Sequence, residues 1–387
     1  MKRSTERILT THVGSLPRPP DLIELLLAKD DSSPGAQRAF RERVRTAVGE
    51  VVERQVAAGI DVVSDGEMAK SSFVHYVRDR VQGFEGVSTR GPALDLHADF
   101  PGYAVWRTPG GTVRPSPFAS RPVCTAPLAW NEANDLAADI DNFKAALASR
   151  PVAEAFMPCA SIGIIAQRMD NAYYPSYEAF VGAIAEVMKE EYRTITDAGL
   201  LIQIDAPEMG IDRALPPFRD QPIVDFRARM ELWVEAINHA LSGIDPARVR
   251  FHVCWGNVEG PHTQDVPLRE IVDIVLKVNA GAYSVEASNP RHAHEWKVWR
   301  DVRLPEGKVL IPGVIDSVTN FVEHPELVAD RIITFAGVVG RENVIAGTDC
   351  GFGTAAVSAN VYPPIVWAKL RSLAEGAALA SAHLWSR

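Results

Sequence analysis

The segment FHVCWGN, residues 251–257, holds a histidine and a cysteine two positions apart. On a β-strand such residues leave from the same face, so the His252 imidazole and the Cys254 thiol point the same way. An imidazole and a thiolate together at a strand end make half of a zinc site. Glu286, in YSVEASN, and Cys350, in AGTDCGFG, supply the remaining donors by type. One histidine, two cysteines and a glutamate suit Zn²⁺, with the two sulfurs adding softness. Alone, the H-x-C pair is a weak signal, because strand-end cysteines commonly serve as small buried hydrophobes. Glu286 strengthens it. A carboxylate that follows Tyr-Ser-Val in a buried strand needs a partner, since an isolated buried charge costs several kcal/mol. Zinc held this way would deprotonate a substrate thiol, whose free pKa lies near ~8.5, and hold its sulfur for alkylation. Glu286, the hard oxygen in a soft set, is the ligand expected to yield to that thiol.

These residues need elements to position them. Short apolar runs alternate with long helical patterns, the rhythm of a parallel sheet with crossover helices. The expected strands are Arg7–Val13, Asp61–Ser64, Ala155–Cys159, Leu201–Asp205, Val249–Cys254, Ala282–Glu286, Lys308–Val314 and Asn343–Ala346. Between them, helices are predicted over Gln37–Gly59, Tyr177–Ala198, Pro222–Leu241, Pro267–Val278, His324–Val338 and Pro363–Ala380. Pro175-Ser176 supplies a start signal and Gly199 a stop for the second of these. Eight strands with crossover helices, and no Gly-rich phosphate fingerprint after the first strand, predict a (β/α)₈ TIM barrel rather than a dinucleotide-binding fold. The Gly-, Pro- and Thr-rich stretch 84–134 interrupts the rhythm after the second strand. It reads as an extended β/loop insertion within a single catalytic barrel spanning 1–387, serving as a lid or an oligomer contact. A homo-oligomer therefore stays open.

In such a barrel, reactive groups sit at the C-terminal ends of the strands. The polar residues fall there repeatedly: His12 and Ser15, Asp65 and Glu67, Gln203 and Asp205, His252 and Cys254, Glu286, Asp316, then Asp349 and Cys350. Together they describe one ring around one mouth. Composition restricts the alternatives. The net charge of −9 comes without a Lys/Arg stripe, which argues against nucleic acid as a partner. No apolar run of membrane-spanning length is present and the N-terminus lacks a signal-peptide core, so no membrane is expected and a cytoplasmic location is. Four cysteines in 387 residues do not suggest a disulfide framework. Cys124 reads as structural and Cys159 as lining the pocket for substrate. His292 and His294, spaced i,i+2 at an apparent helix start, fall on different faces, so no second metal site is expected of that pair.

THVGSLPRP at 11–19, DVVSDGE at 61–67, IQIDAPE at 202–208, HVC at 252–254, SVE at 284–286 and TDCGFG at 348–353 run in order along the chain. In these segments the sequence resembles the cobalamin-independent methionine synthase family, whose relatives include epoxyalkane:coenzyme M transferases. The resemblance covers the whole chain and corresponds to the family's C-terminal catalytic barrel. It implies zinc ligands at His252, Cys254, Glu286 and Cys350. It also implies that Ser15, Glu67 and Asp205 hold the amino-acid part of homocysteine; as plain structure, the same three would cap loops and a helix. The activity implied is methionine-synthase-like S-methyl or alkyl transfer from a small-molecule donor to a thiol. The alternative on the same site is thiol addition to an epoxide or C–S bond cleavage. Two departures favour a non-folate electrophile. Val318 stands where the family has a histidine that protonates the leaving pterin, and MPCASIGIIAQ lacks the tryptophan that stacks on it. Asp316, with Asn320, is the candidate to replace that histidine as a proton relay, and Asp205 is the second catalytic candidate. Trp255 and Asn257, with Arg291 and His292, would shape the electrophile's pocket. Lys70, Ser72 and Tyr76 are weaker candidates for meeting a carboxylate or phosphate.

Overall fold

Short, apolar strands separated by long connections pair in parallel, because a crossover must return each chain segment to the same end of the sheet. The computed structural model describes residues 1–29, 33–88, 99, 100, 102, 103, 106, 121–148, 150–216, 218–357 and 359–386. Its main sheet has eight parallel strands: β1 (Leu9–Thr10), β2 (Val62–Ser64), β3 (Glu154–Ala160), β4 (Leu201–Asp205), β5 (Val249–Val253), β6 (Ala282–Val285), β7 (Val309–Ile315) and β8 (Ile345–Thr348). Each pairs with the next from β2 to β8, β8 pairs with β1, and a parallel bridge from Thr11 to Val62 joins β1 to β2. The ring is a (β/α)₈ barrel, as the sequence predicts.

The helices cover the outer face. They include α1 (Pro20–Leu27), α2 (Pro34–Ala57), α3 (Leu136–Leu147), α4 (Ile162–Arg168), α5 (Tyr177–Asp197), α6 (Ile223–Ala240), α7 (Val272–Val275), α8 (Pro325–Val339) and α9 (Pro363–Trp385). Side-chain alternation divides the core in two. Outward residues such as Val63, Ile204, Phe251, Val253 and Leu310 join the helix-facing core, while Val62, Phe156 and Leu201, and separately Leu9, Val309 and Ile311, pack in small clusters. The helix expected over Pro267–Val278 is broken into a 3₁₀ turn, Leu268–Glu270, and the four residues of α7; Ile271, at φ −129° and ψ −17°, separates them. The sequence also passed over α1, α3 and α4 as separate helices.

The insertion after β2 contains extended pairs, as expected. Val81–Gln82 runs antiparallel to Ala129–Trp130, and Gly86–Val87 antiparallel to Pro122–Cys124. The centre of the 84–134 stretch lies largely outside the described residues, and with it the expected lid or oligomer contact. Where it is described, Asp99 accepts hydrogen bonds from Thr263 Oγ1 at 2.7 Å and Gln264 Nε2 at 2.5 Å, in the loop that follows β5. Among the described residues no helix is long and apolar enough to cross a membrane.

Candidate functional site

Strand register builds the floor of the site. Asp205 of β4 pairs with His252 of β5, and His252 with Ser284 of β6, so three polar residues occupy one layer across adjacent strands. One residue past β5, Cys254 continues on the face of His252. Two past β8 stands Cys350, with its Sγ 3.7 Å from that of Cys254, and both are free thiols. Donor atoms of His252, Cys254 and Cys350 all lie within 4.8 Å of one another. His252 Nδ1 faces Ser284 Oγ at 3.1 Å, whereas its buried Nε2 has no hydrogen-bond partner. Burial, then the nearby Arg250 charge, lowers the His252 pKa to about 3, so the ring is neutral.

Glu286 stands close by, outside that triplet. Its Oε2 accepts the Trp255 backbone N–H at 2.8 Å and its Oε1 the Asn289 side-chain amide at 2.9 Å. Asp349 fixes this corner by accepting the backbone N–H groups of Ala287, Ser288 and Asn289 at 2.7–2.8 Å.

A cavity of about 140 Å³ opens over these groups, lined among others by Ser15, Glu67, Asp205, His252, Cys254, Asn257 and Cys350. Phe73, Ile164, Pro207, Ile211 and Val258 form its apolar side. Glu67 Oε1 faces Lys70 Nζ at 3.4 Å, while its buried Oε2 has no hydrogen-bond partner. Asp205 Oδ1 accepts from Gln203 Nε2 at 2.8 Å. Burial and then the Glu67 charge raise the Asp205 pKa well above the carboxylate range, and burial raises Glu67 despite Lys70 and Arg18. Two buried carboxyl groups beside each other favour a cation between them. Ser15 reaches the mouth because residue 351 is a glycine: a Cβ there would lie 2.0 Å from Ser15 Oγ.

Other expected residues sit elsewhere. His12 does not line the cavity; Nε2 meets Gln55 Oε1 at 2.7 Å and Nδ1 accepts the Gly14 N–H at 3.1 Å, so both nitrogens are engaged. Cys159 is buried beside the cavity rather than on it, and burial raises its thiol pKa well above the usual range. Trp255 lies behind the wall, its indole N–H on Val266 O at 2.9 Å. Asn257 lines the cavity and ties three loops, donating to Gly351 O at 2.9 Å and accepting from Ser317 Oγ at 2.7 Å. Asp316 is outside the lining; it caps its own turn by accepting the N–H groups of Val318 and Thr319 at 2.9 and 2.7 Å. Lys70 is buried under Glu67 and donates to Pro158 O at 2.5 Å.

Sequence reasoning missed Arg18 and Arg168. Arg18 donates to Gly353 O at 2.7 Å and Glu67 O at 2.8 Å, binding the loops after β1, β2 and β8. Arg168 lines the cavity and pairs with Asp212 at 3.3 Å. The arginine of GSLPRP was visible, but nothing in its spacing revealed two carbonyl partners about 50 and 335 residues away.

A (β/α)₈ barrel with thiols, an imidazole and carboxyl groups around its C-terminal mouth has the layout of a barrel enzyme. The chain belongs to the family described as cobalamin-independent synthase, catalytic domain, which it matches over residues 8–100 and 168–364. Among its relatives are the methionine synthase of Thermococcus kodakarensis, 25% identical over 88% of this chain and 86% of that one. That of Saccharolobus solfataricus is 25% identical over 95% and 93%. In fold it is similar to a B12-independent methionine synthase from Shewanella sp. W3-18-1, solved in complex with selenomethionine, with TM-score 0.73 and 20% identity over 98% of this chain and 99% of that one. A putative vitamin-B12-independent methionine synthase from Listeria monocytogenes gives TM-score 0.64 at 19% identity, covering 98% of this chain and 100% of that one.

Proposed function

We propose that this protein is a zinc-dependent S-methyl or alkyltransferase of the methionine synthase type, acting on a homocysteine-like thiol. The reading takes residues 1–387 as one catalytic barrel in the cytoplasm, using a small-molecule thiol and an alkyl donor. The observation that carries it is the unpartnered His252 Nε2 beside two thiols 3.7 Å apart on one cavity wall. Two sulfurs at ~2.3 Å from a tetrahedral zinc would lie about 3.8 Å apart, so the donor set fits the ion. His252, Cys254 and Cys350 would hold it. Glu286, restrained by Trp255 and Asn289, stands by as an oxygen donor. When bound, zinc supplies a deprotonated, positioned substrate thiolate at neutral pH.

The chain's own residues orient the substrate. Glu67 Oε2, which has no hydrogen-bond partner and lies 4.0 Å from Arg18, and the Asp205 carboxyl would receive an ammonium group, whose charge would stabilise the ionised form of both. Ser15 Oγ offers a neutral hydrogen bond at the same wall. Phe73, Ile164, Ile211 and Val258 exclude water from the sulfur and its alkylating partner.

The other reading, thiol addition to an epoxide or C–S cleavage at the same site, draws on the size and chemistry of the cavity. About 140 Å³ is small beside the ~300–1,000 Å³ of sites for drug-sized ligands, and Val318 supplies no proton. The decisive experiment is metal analysis followed by zinc-edge absorption with and without homocysteine. One zinc per chain that gains a sulfur neighbour on adding homocysteine is the expected outcome. Absence of zinc refutes the assignment, and zinc that ignores homocysteine removes it as substrate. Methionine formation against epoxide-dependent loss of free thiol then separates the two chemistries.

A further inference from the structure

Behind the wall that carries Cys254 lies a second convergence of metal-binding side chains. His262 and Asp265 come from the loop after β5, and His292 from the loop after β6. One donor atom of each lies within 4.8 Å of the others. His262 Nδ1 is 2.6 Å and His292 Nε2 2.9 Å from the same oxygen, Asp265 Oδ2. The three side chains are 3–8% exposed. We propose that His262, Asp265 and His292 form a site for a first-row divalent cation, separate from the one at Cys254 and Cys350.

Three features suit a cation there. Each imidazole has its far nitrogen engaged by an acceptor: His262 Nε2 by Val258 O at 2.6 Å, and His292 Nδ1 by Glu295 Oε2 at 2.8 Å. That is the arrangement by which proteins fix the tautomer and orientation of a ligating histidine. Glu295 is itself anchored, since its Oε1 accepts the Leu268 N–H at 2.7 Å. His262 is also held at φ +53°, a left-handed conformation that a non-glycine residue adopts only under strain. Two imidazoles and one carboxylate suit borderline ions such as Zn²⁺ or Co²⁺, and leave positions for water.

Binding exchanges protons for the cation. The nitrogens facing Asp265 must each lose a proton to solvent, and the donors must spread to about 3.3 Å apart, the separation of two ligands ~2.0–2.1 Å from a tetrahedral ion. The consequence is mechanical. The cation would clamp the loops that follow β5 and β6. His292 also stacks on Trp255 with ring centroids 3.8 Å apart, and the Trp255 backbone N–H holds Glu286.

The test is a Co²⁺ titration of the full chain loaded with a single equivalent of zinc, which the two thiols of the first site take preferentially, followed by visible absorption and zinc content. Wild type should take up one further equivalent of Co²⁺ with weak visible bands, no sulfur-to-cobalt charge transfer and no zinc release. Asp265→Asn, which keeps shape and removes charge, should lose that equivalent while retaining zinc, as should His262→Ala. Glu295→Gln should weaken Co²⁺ binding by about 10–100-fold. No further Co²⁺ uptake by wild type overturns the proposal, whether or not the variants fold. Unchanged uptake by Asp265→Asn overturns it too, as does uptake that brings the sulfur band and displaces zinc. None of these outcomes depends on which thiol or electrophile the enzyme uses.

Discussion

Cys254 and His294 separate the ligand assignment from general effects of mutation. Cys254 is buried with its sulfur against Cys350, whereas His294 is exposed and outside both donor clusters. Cys254→Ser exchanges a soft thiolate for a weak, neutral oxygen donor. Zinc content per folded chain should fall sharply in Cys254→Ser and stay at the wild-type value in His294→Ala, as metal analysis would reveal; equal losses would break the assignment. Glu208 gives a second prediction, in pH. Its Oε1 accepts from Ser161 Oγ at 2.6 Å, its Oε2 has no partner, and burial pushes its pKa up to about 8. Below the ordinary value of 4.5 the carboxyl is protonated in folded and unfolded chains alike. From there to about 8 only the unfolded chain releases the proton, so the stability this group contributes is greatest below 4.5 and is lost as pH rises through 8. Glu208→Gln removes that loss. Thermal melts should show the variant gaining on wild type between pH 5 and pH 8, by an amount of order 1–3 kcal/mol.

At the scale of elements, β1 and β2 are short, and a single buried side chain joins them to α2. Gln55 donates to Val51 O at 3.1 Å and Ser64 O at 2.8 Å, and its Oε1 meets the Ser64 N–H at 2.9 Å and His12 Nε2 at 2.7 Å. Gln55→Ala would strand three of those four groups in the core, leaving only the Val51 carbonyl with its helical partner. The expected cost is about 2–4 kcal/mol, read as a lower midpoint in urea at unchanged slope. The loops at the strand ends carry the local strain. Glu67, Asn257 and His262 are the non-glycine residues with positive φ among the described residues, at 57°, 51° and 53°. Two line the cavity, and the third belongs to the proposed cation site. Strain of this kind persists where surrounding contacts over-determine the backbone, as Arg18 on Glu67 O and Gly351 O on Asn257 do here.

Across the whole molecule, the barrel core is extensive enough to carry the fold without a metal. The helix-facing cluster alone joins residues from Ile8 to Ala380, and a chain of this size has enough apolar interior to fold without an ion. Chelation should therefore abolish alkyl transfer while far-UV circular dichroism stays that of a folded barrel. Loss of the helical signal on metal removal would instead make the ion a structural one. The exposed face of the loop after β5, where Asp99 of the insertion meets Thr263 and Gln264, links the insertion to the same loop that bears His262 and Asp265.

The sequence by itself determined what period and residue type can encode. Alternation of apolar runs with helical patterns specified eight strands and hence the barrel. Polar residues at strand ends specified which loops would surround the cavity, and the i,i+2 spacing of His252 and Cys254 put both on one face. Leu201–Asp205 came out with its observed bounds, because Gly199 and Pro207 bracket only seven residues, LLIQIDA, and leave a strand there few other registers. Tertiary structure decided every matter that depends on distance between remote segments. Placing Cys350 against Cys254 takes closure of the ring across 96 residues. His12, at a strand end like its neighbours, turned to Gln55 because a buried imidazole goes where both nitrogens find partners. Asp316, expected as a proton relay, went to cap its own turn, since two backbone N–H groups two and three residues on compete locally for its carboxylate. The partners of His292 were not His294 beside it in sequence but Asp265, 27 residues earlier, and Glu295. Local pattern fixes the direction in which a side chain leaves the backbone, and only the packed barrel fixes what it meets.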